Sequence, residues 1–359
     1  MQTEELAYVI ITPYSMRKSR TGGIVSRLIS RTGLDLVAGR MFAPGPELVR
    51  RYAETIVTSS DARHRAVQEL IKQYLEQNFT GKTSDGQRPR CLMLVFRGPG
   101  AIERVHNVVG HITHEQTSGE TVRDTFGDYI TDETGKVLYF EPGVLSAFGN
   151  ESVEQGLKLW AEFSDSDGGV LDRLITYPDG ARIEKTLVLI KPDNFKFPNI
   201  RPGGVIEVFS RTGLKLIAFK VHRMSVAQAK EFYGPVLAVL EEKLGADKGR
   251  NAWEDIVEFM SGARPSATAA DRLDAPGTEK IVALVYQGDN AVQKIRDVLG
   301  PTDPSKAPPG SIRKEFGQNI MVNAAHASDS AENAEREMRI VQVDENNFKP
   351  LIETFYRRK

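Results

Sequence analysis

The sequence predicts a chain of the α/β (α+β) class, built as two tandem domains, each an antiparallel sheet covered by helices. Three observations predict this. The first is internal repetition: Ser-Arg-Thr-Gly-Leu occurs at 30–34 and again at 210–214, and Ala7-Tyr-Val-Ile-Ile-Thr-Pro13 answers to Thr186-Leu-Val-Leu-Ile-Lys-Pro192. The second is scale: 359 residues exceed one typical domain, and a repeat of roughly 180 residues is far too long for a solenoid unit. The third is the order of apolar and turn-forming segments, which is the same in both halves.

Within each half the elements read as follows. An apolar strand comes first, then Gly22-Gly23 or Gly203-Gly204. An amphipathic helix follows over Ile24–Arg31 or Val205–Arg211, ended by Thr-Gly as a C-cap. The second strand starts at Asp35 or Lys215, and polar helices such as Ser225–Glu242 come next. A third strand is expected at 281–286, matched by Leu92–Gly98 in the first half. Then come a helix at 290–299, a Pro-rich loop at 301–309, a short strand near 320–323 and a helix after His326. Gly110 and Arg123 match Gly300 and Arg313 at the same spacing. This β-α-β-β-α-β order is the ferredoxin-like, split-βαβ plan. The joint is expected in the turn-rich stretch Ser164–Gly180, giving domains 1–165 and 181–359. Residues 55–90 and 243–279 have no functional reading, and 262–277 reads as a loop. The tail 344–359, with Phe348, Phe355 and Tyr356, is expected to pack on a domain.

Composition excludes several classes. A net charge of −1 gives no polyanion-binding surface, so nucleic acid is not an expected partner. The single cysteine, Cys91, lies in an apolar strand and permits no internal disulfide, which fits a reducing, cytoplasmic compartment. No apolar run is long enough to span a bilayer.

One stretch carries chemistry: Asn323-Ala-Ala-His326-Ala-Ser328-Asp-Ser330-Ala-Glu. The pattern Asp329-x-x-Glu332 reads as a helix cap just after the histidine. An imidazole there would face the positive end of a helix, where a phosphate is favoured. The stretch resembles the active-site signature Asn-x-x-His-Gly-Ser-Asp-Ser of nucleoside diphosphate kinases. That resemblance implies transfer of the terminal phosphate of a nucleoside triphosphate to a nucleoside diphosphate, ping-pong, through phospho-His326.

The resemblance extends to other residues of the second half. Lys191, in Ile-Lys-Pro-Asp, is similar to the family lysine that holds the phosphates, with Asn194 where the family has glycine. Arg296, Thr302 in Gly300-Pro-Thr-Asp-Pro304 and Arg313 in Gly310-Ser-Ile-Arg are similar to its phosphate ligands. Asn323 matches the ribose contact. Tyr233 matches a tyrosine near the histidine, and Ser328 and Glu337 the residues that orient it. Trp253 is the candidate for stacking on the base, or else a core aromatic. Mg²⁺ would arrive on the nucleotide, with no dedicated protein cage. Ala327 departs from the family glycine.

The first half lacks this set. Thr12 stands at Lys191 and His106 at Arg296, and only Arg123 is kept. Aligning Asn150–Glu154 with Ser328–Glu332 puts Phe148 at the histidine and Leu145 at the asparagine. This half is expected to be catalytically dead and to pair with the second as an internal pseudo-dimer, with further homo-oligomers possible. His106, His111 and His114 have no metal-site spacing. Two other functions fit the departures: a non-catalytic nucleotide sensor or scaffold, and a protein-directed histidine phosphotransferase.

Overall fold

A computed structural model describes residues 3–82, 87–113 and 119–357. The first half contains β1 (Glu4–Ile11), α1 (Pro13–Arg17), α2 (Thr21–Thr32), β2 (Asp35–Phe42), α3 (Pro46–Glu54), α4 (Ala62–Asn78), β3 (Cys91–Pro99) and α5 (Ala101–Val109). It continues with α6 (Val122–Phe126), β4 (Asp128–Thr131), β5 (Val137–Glu141), β6 (Val144–Leu145) and α7 (Asn150–Glu162). The second half contains β7 (Ile183–Ile190), α8 (Arg201–Ser210), β8 (Lys215–His222), α9 (Val226–Phe232), α10 (Gly234–Leu244), α11 (Ala246–Ser261), β9 (Ile281–Asp289) and α12 (Ala291–Leu299). After these come α13 (Ile312–Phe316), β10 (Ala325–Ala327), α14 (Ala331–Ile340) and α15 (Phe348–Arg357).

Beside the two-stranded β4-β5, two four-stranded antiparallel sheets form among the described residues, in the orders β2-β3-β1-β6 and β8-β9-β7-β10. In each, the central pair is buried on both faces, so its strands read as continuous apolar runs: Leu6–Ile11 and Leu187–Ile190 are all buried. Each sheet carries a bulge at the same place, between Leu36 and Ala38 and between Leu216 and Ala218. Both folds are therefore α+β with ferredoxin-like sheets.

The contacts divide the chain into two units. One comprises 1–179, 198–211 and 345–359, the other 180–197 and 212–344. Helix α8 thus clusters with the first unit, where it packs on α2. The approach requires glycine: a Cβ on Gly22 would lie 2.5 Å from Glu207 N, and one on Gly203 would overlap the Gly22 carbonyl. Ser26 Oγ also donates to Ile200 O at 3.0 Å. The tail helix α15 joins the same unit through Phe348, whose ring meets Phe42 edge-on at 5.8 Å, and through buried Ile352.

The short strand of the second half falls at 325–327 rather than 320–323. Asn319 explains the shift: its side-chain oxygen accepts from Met321 N at 2.9 Å and Val322 N at 2.8 Å, which folds that segment into a turn. Ile320 is left 63% exposed. The first half has a longer segment here, the hairpin β4–β5. No helix of the described residues is long and apolar enough to cross a membrane.

Candidate active site

His326 occupies the middle of β10, paired with Leu189 of β7. It does not stand at a helix start, as the capping pattern suggested. Helix α14 begins at Ala331, and its N-cap is Ser330, whose side chain accepts from Asn333 N at 3.0 Å. Asp329 instead accepts from the Asn333 side chain at 2.6 Å.

The turn before the strand is held tightly. Ala324 has φ +69, a left-handed conformation that costs a non-glycine residue about 1–2 kcal/mol. Its carbonyl accepts from Lys191 N at 2.9 Å and Asn194 Nδ2 at 2.8 Å. Asn194 Nδ2 also donates to Lys191 O at 3.0 Å. The sequence showed Asn194 only as a departure from a pattern, whereas its amide ties the end of β7 to the turn that presents His326.

The ring itself is oriented from α14. His326 Nε2 and Glu337 Oε2 lie 2.9 Å apart, and Ser328 Oγ donates to the same carboxylate oxygen at 2.6 Å. Glu337 and Ser328 are buried. From α9, Phe232 meets the imidazole edge-on at 5.0 Å and Tyr233 at 6.3 Å. The Tyr233 hydroxyl is buried with no hydrogen-bond partner among the described residues. Burial, with the Glu337 charge second, pushes its phenol well above the usual range.

A cleft of about 600 Å³ opens over the ring. Arg296, Thr302, Arg313 and Arg336 line its polar side, and Phe232, Pro235 and Val236 its apolar side. Arg313 is anchored by Nη1 to Gly300 O at 3.0 Å and Nη2 to Ala325 O at 3.1 Å. Burial, helped by the Arg296 charge, lowers its pKa to about 10. Lys191 and Asn323 adjoin the cleft without lining it. Lys191 Nζ donates to Asn323 Oδ1 at 2.7 Å and Met321 O at 3.0 Å. Asn323 Nδ2 reaches Thr302 O at 3.0 Å, so the pair is wired to the lining. Burial, with the Arg313 charge second, brings the Lys191 pKa down to about 7.

Trp253 is placed differently from its expectation as a base-stacking residue. It is buried, and its indole N–H donates to Tyr233 O at 3.0 Å, so it braces the junction of α9 and α10. The apolar surface on the cleft comes instead from Phe232, Pro235 and Val236. Among the described residues no group of three His, Cys, Asp or Glu could hold a metal ion. His114 lies outside the described residues.

The first half carries different side chains at the matching positions. Strand register corrects the alignment of its histidine position. Ile10 pairs with Leu145 as Leu189 pairs with His326, so Leu145, not Phe148, stands at the nucleophile's place. The supporting frame agrees: Gly143 has φ +69 like Ala324, and Arg123 donates to Gly110 O and Val144 O as Arg313 does to Gly300 O and Ala325 O. Helices α7 and α14 each begin five residues after these positions. Phe148 is 60% exposed, its ring 4.4 Å from His106. Burial, then the Arg123 charge, lowers the His106 pKa. Where Lys191 stands in the second half, Thr12 donates to the buried Glu141 at 2.9 Å, and Tyr74 donates to the other oxygen at 2.5 Å. At the counterpart of Glu337 stands Gly156, packed against the hydroxyl of Tyr8, which bonds Tyr52 at 2.9 Å.

Residues 184–346 match the family model described as nucleoside diphosphate kinase. A nucleoside diphosphate kinase of Staphylothermus marinus is 35% identical over 162 residues, covering 45% of this chain and 94% of that one. One from Anaeromyxobacter is 38% identical over 155 residues, covering 43% and 86%. A crystal structure of the Aquifex aeolicus nucleoside diphosphate kinase aligns with 44% of this chain and 94% of its own at 30% identity, with a TM-score of 0.33.

Proposed function

The chain belongs to the nucleoside diphosphate kinase family, and from that premise we propose that it moves the terminal phosphate of a nucleoside triphosphate to a nucleoside diphosphate through phospho-His326. One observation carries the reading: the Glu337 carboxylate sits 2.9 Å from His326 Nε2. A carboxylate accepts, so Nε2 carries the proton and Nδ1 keeps its lone pair for attack. In the first half-reaction Nδ1 bonds the γ-phosphorus, the bond to the bridging oxygen breaks, and the nucleoside diphosphate leaves. The ring gains positive charge, which Glu337 balances. In the second, a terminal oxygen of the acceptor's β-phosphate attacks phospho-His326 and the ring returns to neutral.

Arg296, Arg313 and Thr302 take the phosphates, and Lys191 joins them by exchanging its bond to Asn323 for the nucleotide, with Asn323 turning to the ribose. Mg²⁺ enters as part of the substrate, on phosphate oxygens. Tyr233 packs the ring, and Ser328 fixes Glu337. Phe232, Pro235 and Val236 offer the base an apolar wall in place of Trp253.

The chain is a tandem duplication with domains at 1–165 and 181–359, the first a degenerate copy, in a cytoplasmic protein with a single buried cysteine. The close packing of α8 on α2 through the matched glycines Gly203 and Gly22 supports an internal pseudo-dimer. The test of function is turnover of ATP with each of four nucleoside diphosphates. Transfer to several of them is expected, and binding without transfer would leave a sensor or scaffold.

A further inference from the structure

We propose that Arg336 is a positioning residue for His326, holding together the two elements that fix the ring; this rests on the phosphotransfer reading above. In sequence, Arg336 stands in the run Glu335-Arg-Glu337 of α14. Its side chain reaches three groups. Nη2 lies 3.7 Å from Glu337 Oε1, the oxygen that neither His326 nor Ser328 uses. Nη1 donates to Glu231 O at 3.2 Å and Nη2 to Phe232 O at 3.4 Å. Those carbonyls close α9, where helix geometry leaves acceptors without partners and a cation is favoured. Phe232 and the following Tyr233 are the aromatic residues set edge-on to the imidazole.

One guanidinium therefore touches the carboxylate that holds Nε2 and the helix end that packs the ring. A planar fork can make these contacts together, and an ammonium cannot. It also sets charge. The titratable groups that line the cleft with His326 and Arg336 are Glu337, Arg296, Asp297, Arg313, Asp329 and the Tyr233 phenol. Arg336 sets a positive charge 3.7 Å from Glu337 Oε1. Without it, the carboxylate favours a protonated imidazole, which has no lone pair for attack. Arg336 lines the cleft, with one N–H of each terminal nitrogen spent on a backbone carbonyl; as a positioning residue it acts on the chemical step rather than on nucleotide affinity.

The test uses the full chain with Arg336→Met and Arg336→Lys, measuring steady-state transfer, its pH profile and acid-labile labelling. Arg336→Met should lower kcat by about 10-fold or more, the scale of losing an outer partner that orients a histidine. KM for the nucleoside triphosphate should stay within about twofold, and the acid limb of the profile should move to higher pH. Arg336→Lys should restore the pH profile and only part of kcat. An unchanged kcat and pH profile in Arg336→Met would overturn the proposal. So would a rise in KM with kcat intact, which would make Arg336 a phosphate ligand. If Arg336→Met does not fold by circular dichroism, Arg336→Lys decides: full wild-type kcat there would also overturn it. A wild-type protein that transfers no phosphate would instead sink the phosphotransfer reading, and this inference with it.

Discussion

His326 Nε2 and Glu337 Oε2 lie 2.9 Å apart, with Ser328 Oγ on the same oxygen at 2.6 Å. The strand β10 supplies the ring and the second turn of α14 supplies the carboxylate, so the tautomer is set by tertiary structure. Replacing Glu337 with Gln keeps the shape and removes the charge that, on the proposed mechanism, balances the phosphorylated ring. The rate of phosphohistidine formation in Glu337→Gln, followed by rapid quench, should fall by roughly 10²-fold. A wild-type rate would mean that this pairing has no part in the chemistry.

Lys191 gives a pH dependence with a definite sign. Its pKa is lowered from the ordinary lysine value to about 7 in the folded protein. Between that value and about 10.4 the unfolded chain binds more protons, so this group makes stability rise with pH across that window and adds nothing to the slope below it. Phosphate favours the charged amine, so nucleotide binding near pH 8 should take up a proton. Calorimetry in buffers of different ionisation enthalpy reads that uptake directly, and Lys191→Met should abolish it. Equal uptake in the variant would assign the proton elsewhere.

The approach of α2 to α8 tolerates no side chain at Gly203. Gly203→Val should cost about 1–3 kcal/mol through overpacking and a forced shift of the helices. Gly234→Ala makes the control, since nothing lies within 4 Å of a Cβ there. Equal thermal midpoints for the two variants would show that the close contact contributes nothing.

In the first half, Thr12 donates to the buried Glu141, which also accepts from Tyr74. Thr12→Ala should cost about 1–3 kcal/mol by leaving that carboxylate under-satisfied, while nucleotide turnover stays at the wild-type level. Loss of turnover in a folded Thr12→Ala protein would end the account of a silent first half.

Much of this was legible in the sequence, and the misses have physical causes. Apolar strands and glycine turns gave both sheets, because a strand buried on two faces is a continuous apolar run. The spacing Gly110–Arg123 and Gly300–Arg313 survived because each arginine holds a glycine carbonyl. The short strand was displaced because Asn319 competes for the backbone with its side chain. Phe148 aligns with the histidine in sequence because helix α7 lacks the Ser-Asp-Ser landmark of the second half; the pairing of Ile10 with Leu145 and the Arg123 bond to Val144 O fix the register. For Trp253 the sequence leaves stacking and core packing open, and for Asn194 it shows only a departure from a pattern, for a shared reason. An indole N–H bonded to Tyr233 O and an amide bonded to Ala324 O are tertiary facts with no local signature.

The most direct test of the central claim is the stoichiometry of phosphate on the protein. The full chain is incubated with γ-labelled ATP, and bound label is counted per chain, tested for acid lability and base stability, and then chased with GDP. The account predicts one acid-labile, base-stable phosphate per chain, absent from His326→Ala and discharged onto GDP. Label that persists in His326→Ala, or two phosphates per chain, would contradict it.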